Sequence, residues 1–326
     1  MVCIGIIANP AAGKDVRRLV AHGFSVDNEA KVNIVRRVIL GAIGVGCQTI
    51  LIMPDSFHIG ARAFAGVGQR GPAAERCVML DMPATFTAAD TEQAARLMQE
   101  AGAGCVVTLG GDGTVRLAAK SAPALPLLPI STGTNNVLPT FVEGTVAGMA
   151  AALVAAHQSL REVAVQRRHG LVVRVDGEER DVALVDVACM RGSAIGTRAV
   201  WDWRPLTDVV AISPRVDAIG LSGIVGARFP EQPLAAWVRL GGSECVLAAI
   251  APGLVASVPL AEARALASGE CVAVGQAPMI VALDGERELA VRQGAVSAEV
   301  RPGCATLVDP RQALAEAARQ GLLAAP

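Results

Sequence analysis

The 326-residue sequence has few of the residues on which several common functions depend. It has no tyrosine, its aromatic residues amount to 3%, and its four histidines lie in unrelated contexts, so a zinc site is not expected. Its formal net charge of −1 provides no general positive field for nucleic acid. The composition therefore argues against a zinc protein and against a nucleic-acid partner.

The eight cysteines form no C-x-x-C pair and are scattered singly, mostly in apolar runs. This is the pattern of small buried side chains in a reducing compartment. The first residues, MVCIGIIANP, have no basic n-region and no cleavage site of small residues, which argues against a signal peptide. We expect a cytoplasmic protein.

Long uninterrupted apolar runs are also missing, although 52% of the residues are hydrophobic. The most apolar stretch, residues 38–54, is broken by glycines and a glutamine. A membrane helix needs about 20 predominantly apolar residues. We interpret the stretch as the end of a helix, a turn and a buried strand, and expect no membrane partner.

Apolar strand patterns alternate with helix patterns in the first part of the chain. The predicted strands are 2–8, 48–53, 76–82, 105–109 and 125–130. Ser25 and Glu29 are predicted to cap the helix after the first strand. This alternation is typical of a parallel sheet covered on both faces, so we predict a Rossmann-like α/β domain over residues 1–142.

The pattern changes at about residue 143. One further helix is followed by alternating strands with Asp-Gly turn signals at 176–177 and 284–285. We predict an antiparallel β-rich domain over residues 143–310 and a helix or tail over 311–326. Asp284 and Gly285 are interpreted as an ordinary hairpin turn.

The stretch CVVTLGGDGTVRLAAK contains a glycine loop between a predicted strand and a predicted helix. Glycines let backbone amides approach a phosphate, and a helix N-terminus adds roughly half a positive charge. A carboxylate at Asp112 would repel phosphate unless it holds a cation or takes a proton from an acceptor hydroxyl, and both belong to phosphoryl transfer. The other candidate phosphate-binding residues of this loop are Gly110, Gly111, Gly113 and Thr114.

Two other loops follow predicted strands at the same edge of the sheet. Hydroxyl, amide and glycine residues suit ribose and phosphate recognition in PISTGTNNVLPT, where the candidates are Thr132, Gly133, Thr134, Asn135 and Asn136. In ANPAAGKD the candidates are Asn9 and Lys14, but ordinary turn chemistry explains that loop equally well.

Together these motifs resemble the ATP–NAD kinase and diacylglycerol kinase superfamily, and STGTNNVLP resembles its ATP–NAD kinase-like proteins of acetoin catabolism. The resemblance covers most of the chain. It implies a Rossmann-like N-terminal domain, a C-terminal β-sandwich and a nucleotide in the cleft between them. It also implies that Asp112 is the catalytic aspartate, that Asn135 and Asn136 contact nucleotide, and that Ser222 matches a binding-site serine.

One stretch departs from the family pattern. NAD kinases carry an Asn-Glu pair in an ALNEV-like strand that recognises adenosine, whereas this chain has ALVDVA, with Val185 and Asp186 at those positions. Loss of the amide argues against NAD as the phosphoryl acceptor. Asp186 still offers a carboxylate to a ribose hydroxyl or an adenine amine.

We therefore expect a protein that binds a small-molecule nucleotide and transfers a phosphoryl group from ATP to a hydroxyl, with Asp112 as the base or orienting carboxylate. Mg²⁺ would be held mainly by the nucleotide. NAD is a further candidate ligand, and a homo-oligomer is expected. Two alternatives stay open, namely a non-catalytic nucleotide sensor and a kinase with a lipid acceptor.

Overall fold

The structure is a computed structural model that describes residues 2–13, 22–67, 75–133, 135–192, 195 and 199–324. Its strands form a nine-stranded mixed sheet and a six-stranded antiparallel sheet. The first sheet contains the predicted parallel strands, and the two sheets face each other in the second half of the chain. The predicted combination of an α/β N-terminal part and an antiparallel C-terminal part is confirmed.

The parallel part of the larger sheet has the strand order β3-β2-β1-β4-β5, with every neighbouring pair parallel. Its strands are β1 (Cys3–Ala8), β2 (Thr49–Ile52), β3 (Cys77–Met79), β4 (Cys105–Gly110) and β5 (Leu127–Ser131). The helices between them are α1 (Asn28–Gly44), α2 (Ile59–Ala65), α3 (Ala88–Glu100) and α4 (Asp112–Ser121). Every residue of β1, β4 and β5 is buried because helices cover both faces.

The start of α1 differs from the prediction. Its N-cap is Asp27, whose side chain accepts a hydrogen bond from the Ala30 amide at 2.7 Å. Ser25 instead forms an isolated backbone bridge with Gly133, so the predicted cap formed by Ser25 and Glu29 is wrong. The serine lies two residues too early because the chain is still extended there.

Three later helices pack on the parallel sheet. They are α5 (Gly144–Ala156), α6 (Gln158–Ala164) and α8 (Pro310–Arg319). Buried alanines such as Ala147 and Ala313 share one core with Ile4 and Ile50. The single helix predicted after residue 143 is divided at His157, which adopts an extended conformation.

The second half forms a β-sandwich. Its strands are β6 (Val165–Val175), β7 (Glu178–Ala183), β8 (Asp186–Arg191), β9 (Leu206–Ile212), β10 (Ala235–Ala251), β11 (Leu254–Leu266), β12 (Cys271–Gln276), β13 (Met279–Leu283), β14 (Glu286–Val291) and β15 (Ala295–Val308), with helix α7 (Leu221–Arg228) between β9 and β10. Val173 of the larger sheet and Val210 of the smaller sheet lie in the same buried core. Both predicted Asp-Gly turns are present, with positive φ at both residues of each turn.

Strand β15 joins the two halves of the molecule. The sequence predicts a strand over 295–300, but β15 continues to Val308 and places Leu307 beside Leu127 of β5, with parallel pairing. On its other side β15 pairs with β6 in antiparallel orientation. The N-terminal parallel sheet and one layer of the β-sandwich are therefore a single continuous sheet.

The sequence predicts two separate strands over 235–240 and 244–251. In the structure they are one strand, β10, of 17 residues with register irregularities between Arg239 and Glu244. All eight cysteines are free thiols, and four of them are fully buried as expected, whereas Cys245 on β10 and Cys271 on β12 are exposed. Within the described ranges, no helix is both long and apolar enough to cross a membrane.

Replacing Asp27 with alanine tests the observed start of α1. We expect Asp27→Ala to lower the free energy of unfolding by about 1 kcal/mol, because the first turn loses its side-chain cap. Ser25→Ala is the matched control and should cost less than about 0.5 kcal/mol, since its backbone bridge does not need the hydroxyl. Urea unfolding of the two variants measures both values, and the reverse order of the two losses would contradict the assignment.

Candidate functional site

A cleft of about 890 Å³ lies at the carboxyl edge of the parallel strands, where α/β proteins bind ligands. The loops after β1, β4 and β5 converge on it, and residues of the β-sandwich close one side. The predicted site residues that line the cleft are Asn9, Gly111, Asp112, Gly113, Thr114, Thr132, Gly133, Asn135 and Asn136. Lys14 and Thr134 lie outside the described residues.

The GGDGT loop forms the start of α4. Gly111 is the N-cap and has no side chain with which to cap the helix, so the first turn faces the cleft without a side-chain cap. A Cβ on Gly110 would lie 2.3 Å from Thr114 Oγ1, and a Cβ on Gly111 would lie 2.8 Å from Asn136 Oδ1. Close packing therefore favours glycine at position 110, whereas a side chain at position 111 would require the Asn136 side chain to move. Gly113 borders open space, with Glu286 Oε1 3.9 Å from its ideal Cβ position.

The carboxylate of Asp112 is buried and held by the neighbouring loop. Its Oδ2 accepts from the Val137 amide at 2.9 Å, and its Oδ1 accepts from the Leu138 amide at 2.8 Å. These contacts join the loop after β4 to the loop after β5. Backbone N–H groups thus partly compensate the negative charge of Asp112 and fix the orientation of its carboxylate.

Side-chain hydrogen bonds also hold the loops after β1 and β5. Asn9 Nδ2 donates to Thr114 Oγ1 of α4 at 3.0 Å, and Asn136 Nδ2 in the segment after β5 donates to Ser131 Oγ at 2.8 Å. Asn135 differs, because its Oδ1 is buried and has no hydrogen-bond partner among the described residues. A buried acceptor of this kind is normally satisfied by water or by a ligand.

Lys31 is a residue that the sequence analysis missed. It is fully buried in α1, and its ammonium donates to the backbone oxygens of Asn9 and Ala12, each at 3.0 Å. Lys31 therefore stabilises the conformation of residues 9–12 after β1. The signal in the sequence is the scarcity of lysine: only three of the 29 basic residues are lysines, and Lys31 is one of them.

A buried ion cluster ties α4 to the β-sandwich. The guanidinium of Arg116 lies 3.0 Å from Glu288, 3.5 Å from Asp181 and 3.6 Å from Asp284. All three carboxylates belong to the second half of the chain. The cluster thus fixes α4 against the sandwich through three residue pairs that are too far apart in the sequence for a local pattern to show them.

Asp284 has a larger role than the hairpin turn that the sequence indicates. Its carboxylate is fully buried and accepts from the amides of Leu184 and Val185, at 3.0 and 2.8 Å. Burial raises the pKa of Asp284, while Arg116 and these amides act in the opposite direction. The turn is consequently anchored to the start of β8.

Phenylalanine side chains form the other end of the cleft. Phe57 follows β2 and Phe86 follows β3, whereas Phe24 lies near Gly133 of the loop after β5; all three are exposed and line the cleft. Half of the chain's six phenylalanines therefore border this cleft. The sequence analysis missed this surface because isolated phenylalanines in loops give no periodic pattern.

Phe86 is held in an unusual backbone conformation, with φ of 60°. The Asp90 carboxylate accepts from the Phe86 amide at 2.7 Å and from the Thr85 amide at 2.9 Å. Although burial opposes ionisation, hydrogen bonds from Thr85 and Phe86 hold the pKa of Asp90 below its usual value. Asp90 thereby fixes the turn that presents the Phe86 ring to the cleft.

Two predicted site residues lie away from the main cleft. Asp186 lines a small cavity of about 20 Å³ behind Asp112 and Asn135, and its Oδ1 accepts from the Gly285 amide at 3.1 Å. Ser222 is buried near the start of α7, and its Oγ has no partner in the part of the chain that the structure describes. The small cavity beside Asp186 has room for about one water molecule.

Mg²⁺ would need help from its nucleotide in this site. The described ranges contain no cluster of three or more His, Cys, Asp or Glu side chains that could hold a metal ion. Glu286 Oε1 lies 3.9 Å from the ideal Cβ position of Gly113 in the GGDGT loop. With the described residues alone, a cation at this loop would have to be coordinated in part by the ligand that it accompanies.

Two protein families match different parts of the chain. Residues 4–158 match the sequence model of the ATP-NAD kinase N-terminal domain, and residues 169–302 match that of the acetoin catabolism protein X C-terminal domain. The acetoin catabolism protein X of Cupriavidus necator is 38% identical over 302 residues, which cover 88% of this chain and 84% of that protein.

Solved structures with a similar fold include two from Bacillus anthracis str. Sterne, a diacylglycerol kinase and a putative diacylglycerol kinase. The first has a TM-score of 0.47 and the second a TM-score of 0.43, each at 11% sequence identity. In both cases the similarity covers 94% of this chain and 96% of the other chain.

Asp284→Asn tests the buried cluster. Asparagine keeps the turn conformation but removes the charge beside Arg116, so we expect the free energy of unfolding to fall by about 2–4 kcal/mol. Asp176→Asn is the matched control, because Asp176 has the same positive φ in the other, exposed Asp-Gly turn and should lose less than about 1 kcal/mol. If urea unfolding shows that both variants lose the same free energy of unfolding, the cluster does not contribute the stability expected of it.

Proposed function

Because the chain belongs to the acetoin catabolism protein X family, we propose that it is a nucleotide-binding kinase that transfers a phosphoryl group from ATP to a hydroxyl group. The observation that carries this proposal is the convergence of three polar loops on one cleft, with Asp112 at the first turn of α4. The ATP–NAD kinase match to the N-terminal half supports the same conclusion.

The phosphates are proposed to lie at the uncapped start of α4, where glycines let the backbone approach them. Asp112 then orients the acceptor hydroxyl and takes its proton. The acceptor oxygen forms a bond to the γ-phosphorus as the bond to the β–γ bridging oxygen breaks, and ADP leaves. The Val137 and Leu138 amides keep the carboxylate in position during this transfer.

Mg²⁺ is proposed to enter with ATP and to offset the phosphate charge. Glu286 is the chain's own contribution near this charge, since its Oε1 borders the open space at Gly113. The carboxylates of Asp284 and Glu288 are close to Arg116, which limits their availability to a cation.

The base of the nucleotide is proposed to pack on the aromatic end of the cleft. The phosphate loops follow β1, β4 and β5, whereas Phe57 and Phe86 follow β2 and β3 on the other side of the sheet order. A ligand with phosphates at one end and a planar ring at the other fits this division. An aromatic side chain stacks well on such a ring.

The acceptor is proposed to be a hydroxylated molecule linked to acetoin catabolism, as the name of the Cupriavidus necator relative indicates for that protein. NAD is a weaker candidate for this role. Val185 offers no side-chain hydrogen bond to adenosine, and the Val185 amide already donates to Asp284.

A non-catalytic nucleotide sensor is the second candidate, because Asp112 also has a structural role that does not depend on catalysis. A carboxylate at position 112 looks unnecessary for a protein that only binds phosphate. The contacts with Val137 and Leu138 give Asp112 a purpose of its own, because they join two site loops. Retention of this aspartate is therefore compatible with either function.

Asp112→Asn separates the two candidates. A kinase should lose about 100-fold or more of its turnover, because the acceptor proton has no carboxylate to receive it, while ATP still binds. Phosphoryl transfer is measured with ATP and Mg²⁺ on NAD, NADH and small hydroxylated acceptors, and ATP binding by calorimetry. Asp176→Asn, on an exposed turn, should leave turnover unchanged. ATP binding without turnover on any acceptor by the wild-type protein would overturn the kinase and leave the sensor.

Phe86→Ala tests the aromatic end of the cleft. We expect the affinity for ATP to fall about tenfold or more, while the affinity for inorganic tripolyphosphate is unchanged, because only ATP has a ring to stack. Phe141→Ala is the matched control: Phe141 is 66% exposed and Phe86 63%, but Phe141 does not line the cleft. Equal loss of affinity for ATP and for tripolyphosphate would exclude a base at this position. If only the affinity for an apolar acceptor fell, the aromatic end of the cleft would be assigned to the acceptor.

A further inference from the structure

The ribbon formed by β10 and β11 extends beyond the rest of its sheet. Strand β9 pairs with β10 only from Ala235 to Arg239, whereas β10 and β11 remain paired to Ala251 and Leu254. Its distal part, residues 244–260, has no third strand beside it in the described structure. We call this part the distal ribbon.

The two faces of the distal ribbon have different environments. On one face, Ala248, Ile250 and Val258 are buried in a core shared with Ile224 and Val225 of α7. The opposite face continues the side of the sheet that forms the sandwich core near Trp237. There the larger sheet has ended, and no described residue covers the ribbon.

The uncovered face carries no charge. Its side chains alternate with the buried ones and form three cross-strand pairs, namely Cys245 with Pro259, Leu247 with Ser257, and Ala249 with Val255. Leu247 is 73% exposed and Val255 is 67% exposed. The charged Glu244 lies at the beginning of the distal ribbon and reaches Arg228 on the α7 side. An exposed apolar face bordered by charged residues is typical of a protein–protein interface.

The distal ribbon is also fixed at both ends. Pairing with β9 holds its base, and at its tip the Pro252 oxygen accepts from the His22 amide at 3.1 Å. Both contacts limit the movement of the ribbon, which lowers the ordering cost of binding to this face. This favours a partner surface that is itself preformed.

We propose that the uncovered face of the distal ribbon packs against the same face of a second copy of this chain. The face is neutral, so it offers no charge to attract a partner of opposite sign. It is a direct continuation of a surface that, within the same molecule, packs sheet on sheet, and that arrangement suits another ribbon of identical shape. A two-fold axis lets each copy cover Leu247 and Val255 of the other and closes the assembly at two chains. This dimer goes beyond the proposed function and does not depend on it.

The test is the mass of the full-length protein in solution over the micromolar concentration range. Sedimentation velocity and light scattering should give twice the chain mass of 33.4 kDa for the wild-type protein. Leu247→Glu and Val255→Glu each place an unpaired charge in the interface, so each should raise the dissociation constant of the dimer at least about a hundredfold. Circular dichroism and the melting temperature show whether the variants stay folded.

Val216→Glu is the matched control. Val216 is 63% exposed in a turn before α7 and is not one of the side chains of the uncovered face, so the same substitution should leave the dimer intact. A wild-type monomer at high micromolar concentration would overturn the proposal. A dimer that survives both ribbon substitutions, or that Val216→Glu disrupts equally, would also exclude this face as the interface.

Discussion

The position of the whole site depends on the buried guanidinium of Arg116. Its own helix, α4, begins at the GGDGT loop, and its carboxylate partners Asp181, Asp284 and Glu288 all come from the β-sandwich. A buried charge that loses a partner is costly, so the relative placement of helix and sandwich has few alternatives. The cluster adds little net stability in comparison with an apolar core, but it specifies one arrangement. The cleft is therefore formed before any ligand arrives.

Asp284 and Asp112 use the same physical device at two points of this arrangement. Each is a buried carboxylate that accepts hydrogen bonds from consecutive backbone amides of another segment: Leu184 and Val185 for Asp284, Val137 and Leu138 for Asp112. Backbone donors satisfy a buried negative charge without a side-chain cation. Asp112 consequently faces the cleft with a fixed orientation, and the positive charge of Arg116 remains committed to the sandwich.

The local features could be predicted from the sequence, and the long-range ones could not. The parallel strands and the GGDGT loop follow from apolar runs and glycines within a few residues of each other. The pairing of Leu307 with Leu127 and the contact of Arg116 with Glu288 join residues that are more than 170 positions apart, so no periodicity records them. Phe57 and Phe86 were not predicted for another reason: they lie in loops, and only the order of the strands in the sheet shows that these loops border the cleft.

The same geometry limits how an acceptor can reach Asp112. Behind this carboxylate the small cavity of about 20 Å³ is closed by Val185, Asp186 and Gly285, and it cannot hold a nucleoside. The Val185 amide is also occupied by Asp284, so the strand that recognises adenosine in NAD kinases offers little here besides the Asp186 carboxylate. We infer that an acceptor approaches through the main cleft, on the side where Glu286 borders Gly113. Recognition of such an acceptor would then depend on residues that face this opening, and not on the strand that recognises adenosine in NAD kinases.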